Sequence, residues 1–444
     1  MPVSPARSVA FEILLRVERE ESYAAELLHS DHVAKLSSRD HGLVTELVMG
    51  VLRWQSLLDQ RLAAASSQKL ERLDGEVLAA LRLGVYQLQF LSRVPAHAAI
   101  FESVELVKAA RKRSAAPFVN AVLRTIAGGG AKDVLSEIGK SPDAITLAQN
   151  AAHPLWLVER WTEHYGLEAA RQICAHDQMV PDTAIHIHDD NANTELAAAG
   201  VQLSTGRLLS AARRVIAGDV TGTRAYQEGR VSIQDEASQL VALLAGRGQT
   251  ILDCCAAPGS KTALLARRNP HAKVFAIELH PHRARLLQSL SRLPNVYVVA
   301  ADARHLPFSR AFDRILADVP CSGTGTLARN PEIKWRLKAA DLHDLQSRQV
   351  AILKSALAQL AIGGRLVYST CSLEREENEA VVEAALKGTA EFKVTDLTRE
   401  VEQLLQSGEM CWKDIASLLA GPYLRTIPGV HPCDGFFAAM IERG

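Results

Sequence analysis

Apolar residues recur three and four positions apart through the first 140 residues, which predicts helix after helix. Ser4-Pro5 suits a helix start, and Val9, Ile13, Leu14 and Val17 then share one face. Leu43, Leu47, Val51 and Leu52 repeat the stripe, as do Val77, Leu81, Val85, Leu88 and Leu91. Pro95 and Pro117 open two further runs, and Gly128-Gly129-Gly130 stops the second. Five or more amphipathic helices on short links predict an all-α bundle. From about 145 to 235 the pattern changes. A helical segment carries Trp156, Trp161 and Tyr165; TAIHIH (Thr183–His188) alternates like a strand; NTELAAAG reads as a helix and RRVIAG as a strand. After residue 230, strands are expected at Ile251–Asp253, Val274–Glu278, Val296–Ala301, Arg314–Asp318 and Arg365–Ser369. Helices alternate with them, among them Pro281–Leu290 and Leu342–Leu360, the latter stopped by Gly363-Gly364. Such alternation predicts an α/β domain around a mainly parallel sheet. The chain is thus multidomain: a helical bundle over 1–142, a small α+β module over 143–233 and an α/β domain over 234–444.

Composition adds limits. With 444 residues there is ample core for two or three domains. Lys+Arg and Asp+Glu are both 50, so net charge says nothing for or against a nucleic-acid partner. No apolar run is long enough to span a membrane, and the N-terminus lacks a signal-peptide layout, so a cytoplasmic protein is expected. The seven cysteines are scattered and form no C-x-x-C, which suggests neither a disulfide framework nor a zinc cluster.

The α/β part is organised around TILDCCAAPGSKT (Thr250–Thr262), where a strand breaks into a loop of small residues and then opens a helix. Free N–H groups and the positive end of a helix dipole make such a turn a nucleotide cradle. The glycine spacings of the phosphate loop and of the dinucleotide fingerprint are both absent. The next strands end in Glu278, Asp302 and Asp318. Glu278 lies about 20 residues beyond the loop, where a carboxylate accepts bonds from ribose hydroxyls, and Asp302 suits an adenine amino group. Three carboxylates in register around one loop point to a nucleoside ligand.

Two strand-end loops carry cysteine: ADVPCSGTGT, where Cys321 follows Asp318, and VYSTCSLEREENE around Cys371. A cysteine between a strand end and a helix start is a candidate thiolate nucleophile, since helix N-termini and nearby cations lower a thiol's pKa. A lone cysteine is more often a small core residue, which is the reading for Cys174, Cys254, Cys411 and Cys433. His186 and His188 share a strand face, but no third metal ligand lies near them. Arg111-Lys112-Arg113 ends a helix, where cations suit the dipole; an RNA phosphate contact is the other reading.

Together CAAPGSKT, ADVPCSGTGT, RNPEIKW, VYSTCSLEREENE and HPCDGFF resemble the RNA cytosine-5 methyltransferases of the Sun/NOL family, across about residues 230–444. The helical front resembles the NusB RNA-binding fold, which narrows the likeness to the family's bacterial 16S rRNA enzymes. Ser260 departs from the family, which usually has glycine there; serine at a helix start is benign. The resemblance implies a Rossmann-like fold and S-adenosyl-L-methionine as cofactor. Its binding residues would be Cys255, Ala256, Ala257, Pro258, Gly259, Ser260, Lys261, Glu278, Arg283, Asp302 and Asp318. It also implies that Cys371 attacks carbon 6 of cytosine, that Asp318 bonds the N3/N4 edge, that Lys261 favours the thiolate and that Cys321 releases the product. The implied partner is 16S rRNA, unassembled or partly assembled, with the target base flipped out and the enzyme a monomer without metal. A related enzyme on tRNA or 23S rRNA, a DNA cytosine methyltransferase using Cys321 as nucleophile, and a non-catalytic ribosome-assembly factor are the rival readings.

Overall fold

The computed structural model describes residues 3–20, 22–128, 134–291, 293–309 and 311–444. Gly129 and Gly130 of the expected helix stop lie outside them. The chain divides into two units, residues 1–180 with 327–336 and residues 181–326 with 337–444.

The first unit is helical. Pro5–Glu20, Ser38–Ala65, Gly75–Phe90, Ala96–Ala109 and Ala116–Ala127 bury the expected apolar faces, with Leu47, Leu58, Leu81, Val85 and Leu123 at zero exposure. Pro117 sits in the first turn of its helix, where its missing N–H costs nothing. The cations at 111–113 follow the helix Ala96–Ala109, and Lys112 reaches Asp74 at 3.0 Å. Helix Leu155–Asp177 belongs to this unit and buries Trp161.

Residues 327–336, which contain RNPEIKW, also belong to it. Lys334 is 1% exposed and donates to the carbonyls of Arg53 (2.9 Å) and Ala152 (3.1 Å). Trp335 donates through Nε1 to Leu52 O at 2.7 Å, Arg336 to Val17 O and Ser22 O at 2.6 Å each, and Glu332 accepts from Ala24 N–H at 2.8 Å. The chain therefore leaves the second unit just after the Cys321 loop and returns to it at Leu337.

The second unit holds two sheets. The smaller, in order β2-β3-β1-β4, comprises β1 Thr183–Ile187, β2 Gln202–Thr205, β3 Ala212–Ala217 and β4 Val231–Ile233. His186 bonds Gln239 at 3.0 Å and His188 bonds Ser232 at 3.1 Å, so hydrogen bonding accounts for both rings. Glu236, 1% exposed, accepts the N–H groups of Arg207, Leu208 and Leu209, pinning the loop before β3 to the helix Glu236–Leu244.

The larger sheet contains β5 Thr250–Asp253, β6 Lys273–Glu278, β7 Val296–Ala300, β8 Phe312–Asp318 and β9 Leu360–Thr370, all parallel, in order β9-β8-β5-β6-β7. Beyond β9 comes an antiparallel flank that the sequence pattern left unassigned: β10 Phe392–Thr395, β11 Leu419–Ala420, β12 Tyr423–Thr426 and β13 Phe436–Arg443. Alternate residues of the central strands enter two cores. Ile251, Val274, Leu316, Val367 and Met440 face one side, and Leu252, Ile277, Ile315, Leu366 and Ile441 the other. The helix expected over 342–360 runs from Asp341 to Ala358, because buried Leu360 already pairs with Phe312 as the first residue of β9. Gly363, at φ 71°, then lies within that strand instead of stopping a helix. From β5 the chain winds outward through β6 and β7, then crosses back to β8 on the other side. That reversal opens a crevice at the carboxyl ends of β5 and β8.

Candidate active site

After Asp253 the chain turns through Cys254–Gly259, with a cis Ala257–Pro258 bond, and helix Ser260–Arg268 begins. Gly259 has φ 117°, and a Cβ there would lie 2.4 Å from Leu287 Cδ1, so only glycine fits. Thr262 Oγ1 donates to Asp253 Oδ2 at 2.7 Å and ties the helix to the strand. Burial pushes the Asp253 carboxyl up to about 6, with the Thr262 bond opposing it. The preceding residue of the helix, Lys261, places Nζ 2.7 Å from Asp318 Oδ2 at the end of β8. Ser369, from β9, donates to Asp318 Oδ1 at 2.8 Å. Burial acts to lower the Lys261 pKa, but the Asp318 carboxylate outweighs it and holds the ammonium above its ordinary value.

Cys321, three residues past β8, and Cys371, one past β9, bring their sulfurs to 3.2 Å. The contact with Cys371, burial, and the charges of Glu377 and Asp318 all push the Cys321 thiol well above its usual range. Cys371 does not open a helix. It leads into a turn, with one 3-10 turn at Arg375–Glu377 and a helix only from Glu379, so its surroundings are set by Lys261 and Cys321 and not by a helix dipole. Of the cysteines expected in the core, Cys174, Cys254 and Cys433 are buried, whereas Cys411 is exposed. Cys411 follows the isolated bridge Leu209–Met410 at the molecule's edge and uses its N–H on Leu208 O.

A cavity of about 680 Å³ lies over these strand ends. Cys255, Ala257, Glu278, Arg283, Asp302, Asp318, Cys321 and Cys371 all line it. Ala256, Pro258, Gly259 and Ser260 shape the turn without lining the cavity, and Lys261 meets it through Asp318. Glu278 Oε1 accepts its own loop's His280 N–H at 2.9 Å, and Oε2 stands 4.0 Å from Arg283 Nε. The Asp302 carboxylate is gripped by Arg304, whose Nη2 lies at 2.6 Å and holds the carboxyl below its ordinary value. His280, Arg304 and Arg348 also line the cavity and were not singled out in the sequence. Arg304 could have been found as the cation two residues past a strand-end carboxylate; Arg348 sits inside an apolar-striped helix and gave no signal. Among the described residues no group of three or more His, Cys, Asp or Glu could hold a metal, and no helix is long and apolar enough to cross a membrane.

The arrangement offers a nucleoside-sized cavity, a half-buried cation–carboxylate pair and two touching thiols. Residues 240–442 match the family described as 16S rRNA methyltransferase RsmB/F, and residues 4–128 match the NusB family. Bacillus subtilis has a probable ribosomal RNA small subunit methyltransferase B that is 33% identical, with 100% of both chains covered. The chain belongs to the RsmB/F methyltransferase family. Its relative from Pseudomonas putida, ribosomal RNA small subunit methyltransferase B, is 35% identical over 82% of this chain and 85% of its own. The fold of the RsmB/F chain is shared by a crystal structure, that of PH0851, at TM-score 0.80 and 22% identity with 100% of both chains covered.

Proposed function

We propose that this methyltransferase transfers a methyl group from S-adenosyl-L-methionine to carbon 5 of a cytosine in 16S rRNA, through a covalent Cys371–cytosine adduct. The observation that carries the reading is the pair of strand-end sulfurs 3.2 Å apart beside the Lys261–Asp318 pair. The names of the relatives support the substrate class. The cavity supports the cofactor: its volume suits a nucleoside, and Glu278 and Asp302 line it as candidates for the ribose and the adenine. When bound, S-adenosyl-L-methionine supplies an electrophilic methyl group on sulfonium.

The chain's own residues do the rest. The Cys371 thiolate adds to carbon 6, forming the C6–S bond and moving the C5–C6 π pair to carbon 5, which becomes nucleophilic. Asp318 bonds the N3/N4 edge as charge grows there, and the Lys261 ammonium steadies both Asp318 and the attacking sulfur. After methyl transfer carbon 5 carries one proton too many. Cys321 enters as a thiol, held protonated beside Cys371, which keeps it from competing as the attacking thiolate. Once the Cys371 sulfur is bonded to carbon its charge is gone, so Cys321 can release its proton to solvent, and the resulting thiolate takes the proton from carbon 5. Loss of the proton restores the C5–C6 double bond and expels Cys371. The enzyme works as a cytoplasmic monomer on unassembled or partly assembled RNA, with the target base out of its stack.

The test is incubation of the purified chain with labelled S-adenosyl-L-methionine and 16S rRNA, followed by mass mapping of the nucleosides. One 5-methylcytosine is expected. Label on another atom, on another RNA only, or on none contradicts the reading.

A further inference from the structure

Glu377 is wholly buried, carries a carboxylate and enters the scheme above only through its charge near Cys321. It follows Cys371 by six residues, in the 3-10 turn Arg375–Glu377. Four donors converge on it. Oε1 accepts the backbone N–H of Ser322 at 2.8 Å and Gln349 Nε2 at 2.9 Å. Oε2 accepts the hydroxyls of Ser322 and of Ser372, the latter at 2.5 Å. Ser322 directly follows Cys321, and Ser372 directly follows Cys371. One carboxylate thus holds the neighbour of each sulfur.

The surrounding bonds make the same connection. Thr324 Oγ1, from the Cys321 loop, accepts Leu373 N–H at 2.9 Å, and Gly325 N–H donates to Cys371 O at 2.9 Å. Gly325 and Gly435 approach so closely that a Cβ on the former would lie 2.3 Å from Gly435 O, so the third motif, HPCDGFF, closes over the junction. Every side chain bonded to the carboxylate is at most 9% exposed. A carboxylate is costly to bring out of water unless donors meet it, and here four do. The convergence on the two residues adjoining the sulfurs calls for a function in their alignment.

We propose that Glu377 is the positioning residue that locks the two cysteine loops together and so keeps both sulfurs on one target base. The proposal rests on the division of labour between Cys371 and Cys321 given above, because only a reaction that uses both sulfurs in turn needs them in fixed register. Loosening the clamp leaves either thiol able to react alone but slows the hand-over from one to the other.

The full chain is compared as wild type, Glu377→Ala, Glu377→Gln and Ser322→Ala. Three quantities are read: cofactor affinity, the decay rate of preformed RNA adduct per adduct molecule, and the rate at which diamide joins Cys321 to Cys371. In the last, two thiols lose two protons and two electrons to the diazene, which becomes the hydrazine as the S–S bond forms. In Glu377→Ala, adduct decay and thiol pairing are expected to slow by about 100-fold, the cost of roughly 1 Å of misplacement. Glu377→Gln and Ser322→Ala, which keep part of the clamp, are expected to slow both by about tenfold or less, with cofactor affinity within about twofold throughout. A residue that served folding alone would reduce the amount of adduct and leave its decay rate and the pairing rate unchanged; that result overturns the proposal. If Glu377→Ala is insoluble, the two milder variants decide in the same way. If the wild type forms no adduct at all, the proposed reaction fails, and thiol pairing by itself still decides whether Glu377 aligns the sulfurs.

Discussion

Lys261 in the catalytic unit and Lys334 in the helical unit both lose most of their contact with water, yet their ammonium groups are driven in opposite directions. Lys261 meets the Asp318 carboxylate at 2.7 Å, and its pKa rises. Lys334 donates to two carbonyls, at 2.9 and 3.1 Å, and lies over the Trp335 ring; burial dominates and pushes it down to about 7, although Asp177 and Cys174 act in the other direction. A direct anionic partner separates the two cases. A carbonyl solvates an ammonium only in part, whereas a carboxylate in contact restores what burial removes. Lys261 therefore stays charged beside Asp318, where the proposed reaction calls for a cation. Lys334 is a peg that fastens residues 327–336 into the helical unit, at a cost in stability that depends on pH.

The sharpest way to break this contrast is to remove each charge. Lys261→Met is expected to lower turnover by roughly 1000-fold, the scale of losing one buried electrostatic contact to a transition state, while cofactor binding persists. Single-turnover methylation with saturating cofactor checks this; an unchanged rate would make Lys261 as structural as Lys334.

Glu278→Ala probes another charge of the same strand-end cluster. It should weaken S-adenosyl-L-methionine by about 1–3 kcal/mol, from ligand hydroxyls left unpaired, with turnover recovered at high cofactor. Calorimetry gives the affinity, and no change would move the ribose elsewhere.

The smallest effect is on stability. The unfolded chain keeps Lys334 protonated to about 10.5, while the folded chain loses that proton near 7, so the unfolded state binds more protons between them and stability rises with pH. From about pH 7 to about pH 8.5 the gain should be roughly 1–2 kcal/mol in urea denaturation. Lys334→Met should flatten the slope in that window, and an equal slope in both proteins would show that the ammonium stays charged.

The same contrast explains what was legible in the sequence. Strand ends could be read because residues with their own chemistry stand at or just past them: Asp253, Glu278, Asp302, Asp318 and the two cysteines. Regular periodicity likewise fixed the helices of the first unit. The docking of RNPEIKW among Val17, Leu52, Arg53 and Ala152 was not legible, because nothing local distinguishes Lys334 in PEIKW from Lys261 in PGSKT. Glu377 was hidden in the same way. Its run, LEREENEA, looks like a solvated helix start, and only the tertiary structure turns one of those carboxylates inward to Ser322 and Gln349. In the flank, β13 escaped because it is buried on both faces, which removes the alternation that marks a strand, and β10–β12 are at most four residues long.

The central claim is that two touching sulfurs divide one reaction, Cys371 opening it and Cys321 closing it. Cys371→Ala and Cys321→Ala, each mixed with S-adenosyl-L-methionine and 16S rRNA and run on a denaturing gel, test it most directly. The prediction is a slow-migrating, ribonuclease-sensitive band with Cys321→Ala, containing methylated RNA, and no such band with Cys371→Ala. A band with Cys371→Ala and none with Cys321→Ala would reverse the roles and contradict the account.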